Sequence, residues 1–360
     1  RAFELHGDLE APLPMIASGP GERRRPRMMV ADQRVPAIAG SRPYITKVLT
    51  DLGCTVELVA DGPVDLSRCE VLLLHGNPGY FPRLRKQLLS MPRTRRPLVA
   101  TLHAEPLPPP RASGISRVSV PNAAELAKIL LGDWRATDIY TNAFKLRRMM
   151  REGTIDLLFV MSAEKRQYAE EQGYKSWYIP AGSHAKTGRL LGLERDIDVL
   201  FIGDTRPWRR KWLLWRLRRA GIDVTVRGSW HKDEKALWGE ERTRFLNRTK
   251  IVVHLQRYPG KLAAIRFVLA MSSGALIVSE PPYLPEPYVD GEHFVSATID
   301  EMPRVIRHYL DHPEERERIA AAGHRLVSTE VTYHRSIAKM LAVIGEHLDR
   351  REEFRFAVKR

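Results

Sequence analysis

The feature that most constrains the fold is an alternation of short, continuously apolar runs with longer stretches of helical periodicity. The runs include RMMVAD at 27–32, CEVLLLHGN at 69–77, RPLVATLHAEP at 96–106 and IDLLFVMS at 155–162. Strands that are apolar on both faces are typical of parallel sheets covered by helices on both sides. Strand–helix alternation with short connections therefore predicts an α/β fold with parallel, doubly wound sheets.

The alternation stops near the middle of the chain and then starts again. The segment AKTGRLLGLERD, at 185–196, has no strand pattern, and IDVLFIGD begins a new strand directly after it. A chain of 360 residues also exceeds one ordinary domain, since domains hold ~100–150 residues. We therefore expect two tandem Rossmann-like domains whose sheets face a cleft between them. The expected parts are a basic flexible tail at 1–27, an N-terminal domain at 28–185, a linker at 186–195, a C-terminal domain at 196–345 and a final helix or tail at 346–360.

The charge of the chain indicates which classes of partner it attracts. Lys and Arg number 58 against 43 Asp and Glu, a formal net charge of +15. Such a surplus attracts nucleic acid, anionic lipid or phosphorylated substrates, although an Arg-rich genome would produce it as well. No zinc spacing, homeodomain-like pattern or RNA-binding aromatic motif indicates pure nucleic-acid recognition.

The apolar runs and the cysteine content indicate the cellular compartment of the protein. No apolar run approaches the ~20 residues that span a bilayer, so we expect no transmembrane segment. The two cysteines, Cys54 and Cys69, do not make a disulfide framework, and a reducing compartment is the simplest setting. We therefore expect a cytoplasmic protein, with peripheral attachment to the inner face of the membrane left open.

Basic residues cluster where the first strand of the second half ends. Gly203 follows VLFI, and Arg206, Arg209, Arg210 and Lys211 lie in the loop and the first helical turn. The positive end of a helix dipole disfavours cations, whereas its free N–H groups attract anions. A bound diphosphate would offset the repulsion. We interpret this loop as the phosphate end of an enzyme site, and a basic surface turn without a ligand is the alternative.

The same helix carries tryptophans as well as arginines. Leu213, Leu214 and Leu217 form one apolar stripe, and Trp212 and Trp215 flank it. Single-strand binders need aromatic residues on an open basic surface, whereas this helix must cover a sheet. We therefore expect the two tryptophans to pack at the edges of the core.

From Asp196 to about Leu341 the chain contains, in this order and spacing, the segments DVLFIGDTRPWRR, FLNRTKIVVHLQR, IRFVLAMSSGALIVSE, PYVDGEHFV, IDEMPRVIRHYLDHPEERERIAAAGHRLV and TYHRSIAKML. In these segments the chain resembles the C-terminal domain of GT-B glycosyltransferases, enzymes with two Rossmann-like domains. It is most similar to the CgeB-like glycosyltransferases, which are grouped with the family 4 type. The N-terminal half resembles these enzymes only in architecture.

The resemblance implies a site for a nucleotide-sugar, which would be a donor substrate rather than a cofactor. It implies no metal, and we do not interpret DID at 196–198 as an acidic metal pair. It also makes 28–185 the acceptor side and 196–345 the donor side. The residues that it places at the donor are Gly203, Arg206, Arg210 and Lys211 at the diphosphate, Gly228 and Trp230 beside the base, His254, Arg257, Tyr258, Gly260, Lys261 and Arg266 at the sugar and phosphate, and Gly274 at the end of the following helix.

One position departs from the family pattern. Relatives carry a Glu five residues before the glycine, where it binds the ribose hydroxyls, whereas this chain has Leu269. A Leu accepts no hydrogen bond, and a site that is built around a hydroxyl loses affinity without its partner. Three explanations stay open: Glu280 or Glu286 holds the ribose, the donor differs, or donor use has been lost.

In the N-terminal half, the candidates for proton transfer follow apolar strands. His103 and Glu105 end RPLVATLHAEP, and His75 ends LLLHGN. Alternation along a strand places His103 and Glu105 on one side, within reach of an acceptor hydroxyl. If the reaction inverts configuration, one of them is the candidate base; if it retains configuration, they position the acceptor.

The leading hypothesis is a glycosyltransferase that moves a hexosyl or related group from a nucleotide-sugar to an unidentified acceptor. One alternative is a catalytically impaired nucleotide-binding protein of the same fold. Another is a nucleic-acid-associated glycosyltransferase that acts on modified bases. Stereochemistry, sugar, base and oligomeric state stay open.

Overall fold

The protein is described by a computed structural model that covers residues 25–32, 42–117, 123–131, 138–185, 187–228, 237 and 239–357. The described part contains two parallel β-sheets, each flanked by helices. The alternation of apolar runs and helical patterns thus folds as the sequence predicts, and the α/β fold class with two Rossmann-like sheets is confirmed.

The first sheet has six strands in the order β2-β1-β3-β4-β5-β6, and all neighbours are parallel. Its strands are β1 (Arg27–Asp32), β2 (Thr55–Val59), β3 (Val71–His75), β4 (Leu98–His103), β5 (Leu157–Val160) and β6 (Ser176–Tyr178). Its helices are α1 (Arg42–Asp51), α2 (Pro82–Ser90), α3 (Ala123–Leu130), α4 (Ile139–Arg151) and α5 (Ala163–Glu171).

The second sheet has five strands in the order β11-β10-β9-β7-β8, again all parallel. Its strands are β7 (Ile197–Ile202), β8 (Thr225–Arg227), β9 (Thr249–His254), β10 (Leu276–Ser279) and β11 (Val295–Ser296). The helices that follow in this half are α6 (Trp208–Arg219), α7 (Gly239–Asn247), α8 (Ala264–Ser272), α9 (Met302–Asp311), α10 (Pro313–Arg325) and α11 (Tyr333–Ala357), with a π-helical turn at Leu326–Glu330.

The central strands of each sheet are buried on both faces, which explains why they are continuously apolar. In β3, Val71 and Leu73 pack into one apolar cluster, whereas Leu72 and Leu74 pack into another on the opposite face. The second sheet likewise separates two clusters. Burial on both faces removes apolar surface from water along the whole strand, at ~25 cal/mol per Å².

The long last helix returns to the first sheet. Ile337, Met340 and Ile344 of α11 are fully buried in the cluster that contains β1, β3 and β4. The sequence predicts that residues up to 345 belong to the C-terminal domain, whereas these α11 residues pack against the first sheet. The physical reason is that the apolar stripe of α11 needs an apolar partner, and it covers the first sheet beside α1.

The carboxyl edges of the two sheets face each other. The α5 helix follows β5 in the first half, and its Glu164 forms an ion pair with Lys261, which follows β9 in the second. The hydroxyl of Tyr283, after β10, donates to Oε1 of Gln167 at 3.0 Å. Residues that follow the strands of both sheets therefore line one cleft, as expected for ligand sites in parallel sheets.

The outer face of α6 differs from the sequence-based expectation. Leu213, Leu214 and Leu217 are buried as predicted, but Trp212 and Trp215 are 41% and 51% exposed. The three leucines cover the sheet without help from the indole rings. Among the described residues, no helix is both long and apolar enough to cross a membrane.

Candidate functional site

Two glycines create space at the carboxyl edge of the second sheet. A Cβ on Gly203, directly after β7, would lie 2.8 Å from Nη2 of Arg266. A Cβ on Gly228, after β8, would lie 3.2 Å from the backbone nitrogen of Gly203. Gly228 also has a φ of 86°, which disfavours other residues. The missing side chains let two strand ends approach each other and let a guanidinium lie against the backbone.

Arg266 is a cation without its full set of partners. Its Nη1 is buried and makes no hydrogen bond to any described residue. Burial lowers the pKa of Arg266 to about 10, so the side chain stays charged at neutral pH. A buried charge is costly unless it is paired. Nη1 therefore identifies a position where an anion would be stabilised.

Arg210 adds a second buried cation to this edge and is 5% exposed. Its Nε donates to the carbonyl of Leu255, and its Nη1 donates to the carbonyl of Asp204, both at 3.0 Å. Burial, together with the positive charges of Arg266 and Arg257, holds the pKa of Arg210 well below its usual range. Mutual repulsion of this kind is relieved by a bound anion.

The other predicted basic residues of this loop have different surroundings. Arg206 pairs with Asp204 in a bidentate geometry, with Nε–Oδ1 and Nη2–Oδ2 distances of 2.9 Å. Lys211 is exposed, and no hydrogen bond or ion pair joins its side chain to another described residue. Of the three residues predicted at the diphosphate by their charge, only Arg210 lies buried beside Arg266.

Arg209 and Glu280 fix the loop that follows β9. The guanidinium of Arg209 pairs with both oxygens of Glu280 and donates to the carbonyl of Gln256 at 2.7 Å. The backbone N–H of Gln256 donates to Oε2 of Glu280 at 2.7 Å. The carboxylate of Glu280, considered above as a ribose ligand, is thus engaged in holding two neighbouring loops together.

His254, at the end of β9, offers an unused acceptor. Its Nδ1 lies 2.9 Å from Oγ of Ser279, whose hydroxyl donates to the carbonyl of Glu280. Because that proton is committed, we assign the ring proton to Nδ1, which leaves a lone pair on Nε2. Nε2 is buried and unpaired among the described residues. Burial and two nearby arginines, Arg266 and Arg210, hold the pKa of His254 well below its usual value, so the ring is neutral.

The loop from 256 to 261 joins the two halves. Arg257 stacks over the ring of Tyr258, with 5.3 Å between the guanidinium carbon and the ring centroid. A Cβ on Gly260 would lie 2.1 Å from the end of the Ile115 side chain in the first half, and the φ of 74° at Gly260 disfavours other residues. Together with the Lys261–Glu164 pair, these contacts bring the loop up to the first sheet's edge.

One predicted position, Gly274, lies apart from this cluster. Gly274 follows α8, at the end of that helix away from the cluster. A Cβ on Gly274 would lie 2.8 Å from Nη2 of Arg195, and the glycine serves to end the helix. Trp230 lies outside the described residues. Leu269 is half-buried and packs against the core of the second sheet, so its side chain offers only carbon atoms.

At the edge of the first sheet, Glu105 is surrounded by basic side chains. Burial raises its pKa, while the charges of Lys165, Arg257 and Lys145 and a hydrogen bond from Tyr80 act in the opposite direction. Arg257 belongs to the second half, so Glu105 faces the cleft. A carboxylate with a raised pKa that is kept near cations suits a general base.

Lys165 was not identified from the sequence. It lies in the first turn of α5, is buried, and donates from Nζ to the carbonyl of Ala104 at 2.5 Å. Burial lowers its pKa to about 8. A cation in the first turn of a helix that follows a strand was the signal used for Arg210, and it would have found Lys165 as well.

The two predicted histidines of the first half lie on different faces of the sheet. His103 is fully buried, neither ring nitrogen makes a hydrogen bond to a described residue, and burial lowers its pKa to about 3. The register pairs His75 with Asp32 and Leu102, and alternation puts it on the face opposite His103. His75 Nδ1 lies 3.5 Å from Oδ2 of Asp32. Only Glu105 of the three has charged neighbours from both halves.

The described residues include no group of three or more His, Cys, Asp or Glu that is placed to hold a metal ion. Metal independence itself stays a prediction.

The fold and part of the sequence match known proteins. Residues 209–342 match a family model described as glycosyl transferase-like. No individually curated protein sequence matches the chain. The structure resembles sucrose-phosphate synthase from Thermosynechococcus elongatus at 10% identity, over 91% of this chain and 100% of that one, with a TM-score of 0.63. The chain has the GT-B glycosyltransferase fold.

Two further GT-B structures are similar. HepE from Anabaena, solved in complex with UDP-glucose, has 12% identity, covers 89% of this chain and 99% of that one, and gives a TM-score of 0.59. AviGT4, a glycosyltransferase involved in avilamycin A biosynthesis, has 15% identity, covers 88% and 98%, and gives a TM-score of 0.50. At these identities the likeness concerns the GT-B fold, and the chemistry must be argued from the residues of this chain. The CgeB-like subtype stays a prediction.

Proposed function

We propose that the protein is a glycosyltransferase that transfers a sugar from a nucleoside-diphosphate-sugar to an acceptor bound at the edge of the first sheet. The observation that carries the proposal is the Nη1 of Arg266, which is buried beside Arg210 at the glycine-lined end of β7 and has no hydrogen-bond partner among the residues that the structure describes. A diphosphate supplies the anionic oxygens that these two cations lack.

The same cations would act on the reaction as well as on binding. When the glycosidic bond to the donor breaks, negative charge develops on the departing diphosphate. Preorganised cations in a buried site stabilise such charge more in the transition state than in the ground state. Arg266 is held against the backbone of Gly203, and Arg210 is held by two carbonyls, so little reorganisation is needed.

His254 and Glu105 would complete the site from its two sides. The lone pair on His254 Nε2 suits a hydroxyl of the transferred sugar, because a diphosphate oxygen carries no proton to donate. Glu105 is the carboxylate that faces the cleft, and it would accept the proton of an attacking acceptor hydroxyl if configuration is inverted. If configuration is retained, Glu105 would position that hydroxyl.

The absence of a carboxylate at Leu269 bears on the donor. With Glu280 engaged by Arg209 and Gln256, the described site offers no free carboxylate at either of these positions for ribose hydroxyls. We therefore expect the diphosphate and the sugar to contribute more of the donor affinity than the ribose does. Hydrolysis of the donor in the absence of an acceptor would separate an active enzyme from a binding protein that has lost its chemistry.

The test is nucleotide binding, measured by calorimetry and thermal shift with UDP, GDP, ADP and their sugar esters. A ligand that binds only the folded state raises its melting temperature. Arg266→Gln should weaken diphosphate binding by roughly 10- to 150-fold, because a hydrogen bond to a charged group contributes about 1.5–3 kcal/mol. The affinity for the free nucleoside should change little.

Arg195→Gln is the matched control. Arg195 is also a partly buried arginine near α8, but it lies at the end of that helix away from the cleft. Its guanidinium donates to the carbonyls of Thr249 and Ser273. It should leave binding unchanged while altering stability. If no nucleoside diphosphate shifts melting at millimolar concentration, or if both variants weaken binding equally, the proposal is wrong.

A further inference from the structure

The exposed face of α6 carries a stripe of tryptophan. Trp208, Trp212 and Trp215 are 64%, 41% and 51% exposed. Their spacing of four and three residues puts them on one side of the helix. The opposite side is occupied by the buried leucines and Arg210, so the indole rings are not required to cover the sheet.

This stripe is bordered by positive charge. The sequence of α6, WRRKWLLWRLRR, contains no acidic residue. Arg216 lies 5.2 Å from the ring centroid of Trp212, and Arg219 lies 5.3 Å from that of Trp215. Arg216 is paired with Asp300. For Arg218 and Arg219 no ion pair is found within the described part of the chain.

Exposed tryptophan together with unpaired arginine has a specific physical preference. Indole combines an apolar body with a polar N–H, and guanidinium groups extend to a polar surface while their stems cover apolar ones. Both are favoured at the boundary between lipid headgroups and acyl chains. A helix with aromatic and basic residues on its outer face lies in the plane of that boundary, and basic residues add attraction to anionic lipid.

We propose that the outer face of α6, formed by Trp208, Trp212, Trp215, Arg218 and Arg219, docks the protein on an anionic lipid surface. The net charge of +15 adds a general attraction to a negatively charged surface. Docking does not depend on the proposed glycosyl transfer, because it uses the face of α6 opposite to the one that carries Arg210.

A nucleic acid is the competing partner, and the geometry favours it less. Proteins that bind single strands combine a groove that follows the backbone with open aromatic faces on which bases stack. Here the face is a convex helix, and an arginine already stacks on Trp212 and another on Trp215. A flat bilayer can contact all three indole rings at once without displacing these arginines.

The test is co-sedimentation of the full chain with vesicles of phosphatidylcholine alone or mixed with phosphatidylglycerol, at low and high salt. The wild-type protein should bind the anionic vesicles, and salt should weaken binding. Trp212→Ser/Trp215→Ser should lower the affinity by about tenfold or more, because two interfacial rings are lost. Arg218→Gln/Arg219→Gln should lower it less and reduce the salt dependence.

The matched control is Leu130→Ser/Leu131→Ser, which removes two side chains that are 77% and 84% exposed at the end of α3. It should leave vesicle binding unchanged. The melting temperature of each α6 variant checks that it is folded, and its nucleotide affinity checks that the donor site is intact. The proposal is overturned if the wild type ignores anionic vesicles, if the tryptophan variant binds them as well as the wild type does, or if only single-stranded DNA binding depends on the tryptophans.

Discussion

The edges of the two sheets meet in one cleft but differ in charge. The second sheet presents glycines, a buried Arg210, a partly buried Arg266 and a neutral histidine, with the buried Nη1 of Arg266 unpaired among the described residues. The first sheet presents a carboxyl group, Glu105, whose pKa is raised by burial, while the charges of Lys165, Arg257 and Lys145 act in the opposite direction. One edge therefore has permanent positive charge for an anion, and the other has a group whose protonation changes with pH.

This difference follows from the residue types that each edge can bury. Arginine keeps its charge when buried, because even a pKa of about 10 leaves it protonated at neutral pH. A carboxyl group loses its charge more easily, and neighbouring cations restore it. We infer that the two edges serve different steps: stabilisation of the diphosphate on one side and proton transfer or positioning on the other.

The largest expected effect is on turnover, from a change at the first edge. If Glu105 is the proton acceptor, Glu105→Gln should lower kcat by ~10²–10⁴ and leave the affinity for nucleoside diphosphates nearly unchanged. Steady-state kinetics with an identified acceptor, together with calorimetry, measure the two quantities. A loss of only a few-fold would instead indicate a positioning role.

His75→Ala is the control for that change. His75 also ends a strand of the first sheet, but alternation directs it away from the face of His103, and its neighbour is Asp32. It should alter kcat far less than Glu105→Gln does. If the two substitutions lower kcat equally, the assignment of proton transfer to Glu105 rather than to His75 is wrong.

A smaller effect is expected on binding, from a change at the second edge. Gly203→Ala would put a methyl group 2.8 Å from Nη2 of Arg266, and the flexible guanidinium would move away from the backbone. Diphosphate affinity should fall by roughly tenfold, since one charged hydrogen bond is weakened. Calorimetric titration with the diphosphate that binds the wild type measures this.

Gly192→Ala provides the comparison. Gly192 has a φ of 64°, and a Cβ there would meet no atom within 4 Å. It should lower stability through backbone strain without changing binding. If Gly203→Ala binds as tightly as the wild type, the position of Arg266 is not what holds the diphosphate.

The smallest expected effect is a shift of the pH profile. The raised pKa of Glu105 means that kcat/KM should fall as pH drops through a range above the ordinary carboxyl value. Lys165→Gln removes a cation that favours the ionised carboxylate, so the acid limb of the profile should move to higher pH. A limb that stays in place, or moves to lower pH, would contradict the assignment.

The ionisation of Glu105 and Lys165 also makes the stability of the folded protein depend on pH, in opposite directions. Because the folded pKa of Glu105 lies above its unfolded value, its contribution to stability is fully present below that unfolded value and is lost as pH rises through the folded pKa. Lys165, with a pKa lowered to about 8, has the opposite sign: its contribution is present above its unfolded pKa and is lost as pH falls toward 8.

Much of the fold could be predicted because its signals are local. Continuous apolar runs such as 71–74 and 251–253 identify buried parallel strands, and the restart after 196 identifies a second sheet. The basic loop after Gly203 was placed correctly at the end of a strand, since a glycine and clustered arginines are visible in the sequence. The partners of those arginines were not visible, because they depend on residues far along the chain.

The sequence by itself determined two parallel sheets, the strand ends that carry polar residues, and the concentration of positive charge at one of them. These follow from the period of apolar residues, which needs no knowledge of distant contacts. Only the tertiary structure decided that Arg209 is engaged by Glu280, whereas one nitrogen of Arg266 finds no partner in the described part of the chain, and that α11 covers the first sheet. It also decided that the indole rings of α6 face outward, because packing across distant segments settles which side chains find partners and which stay exposed.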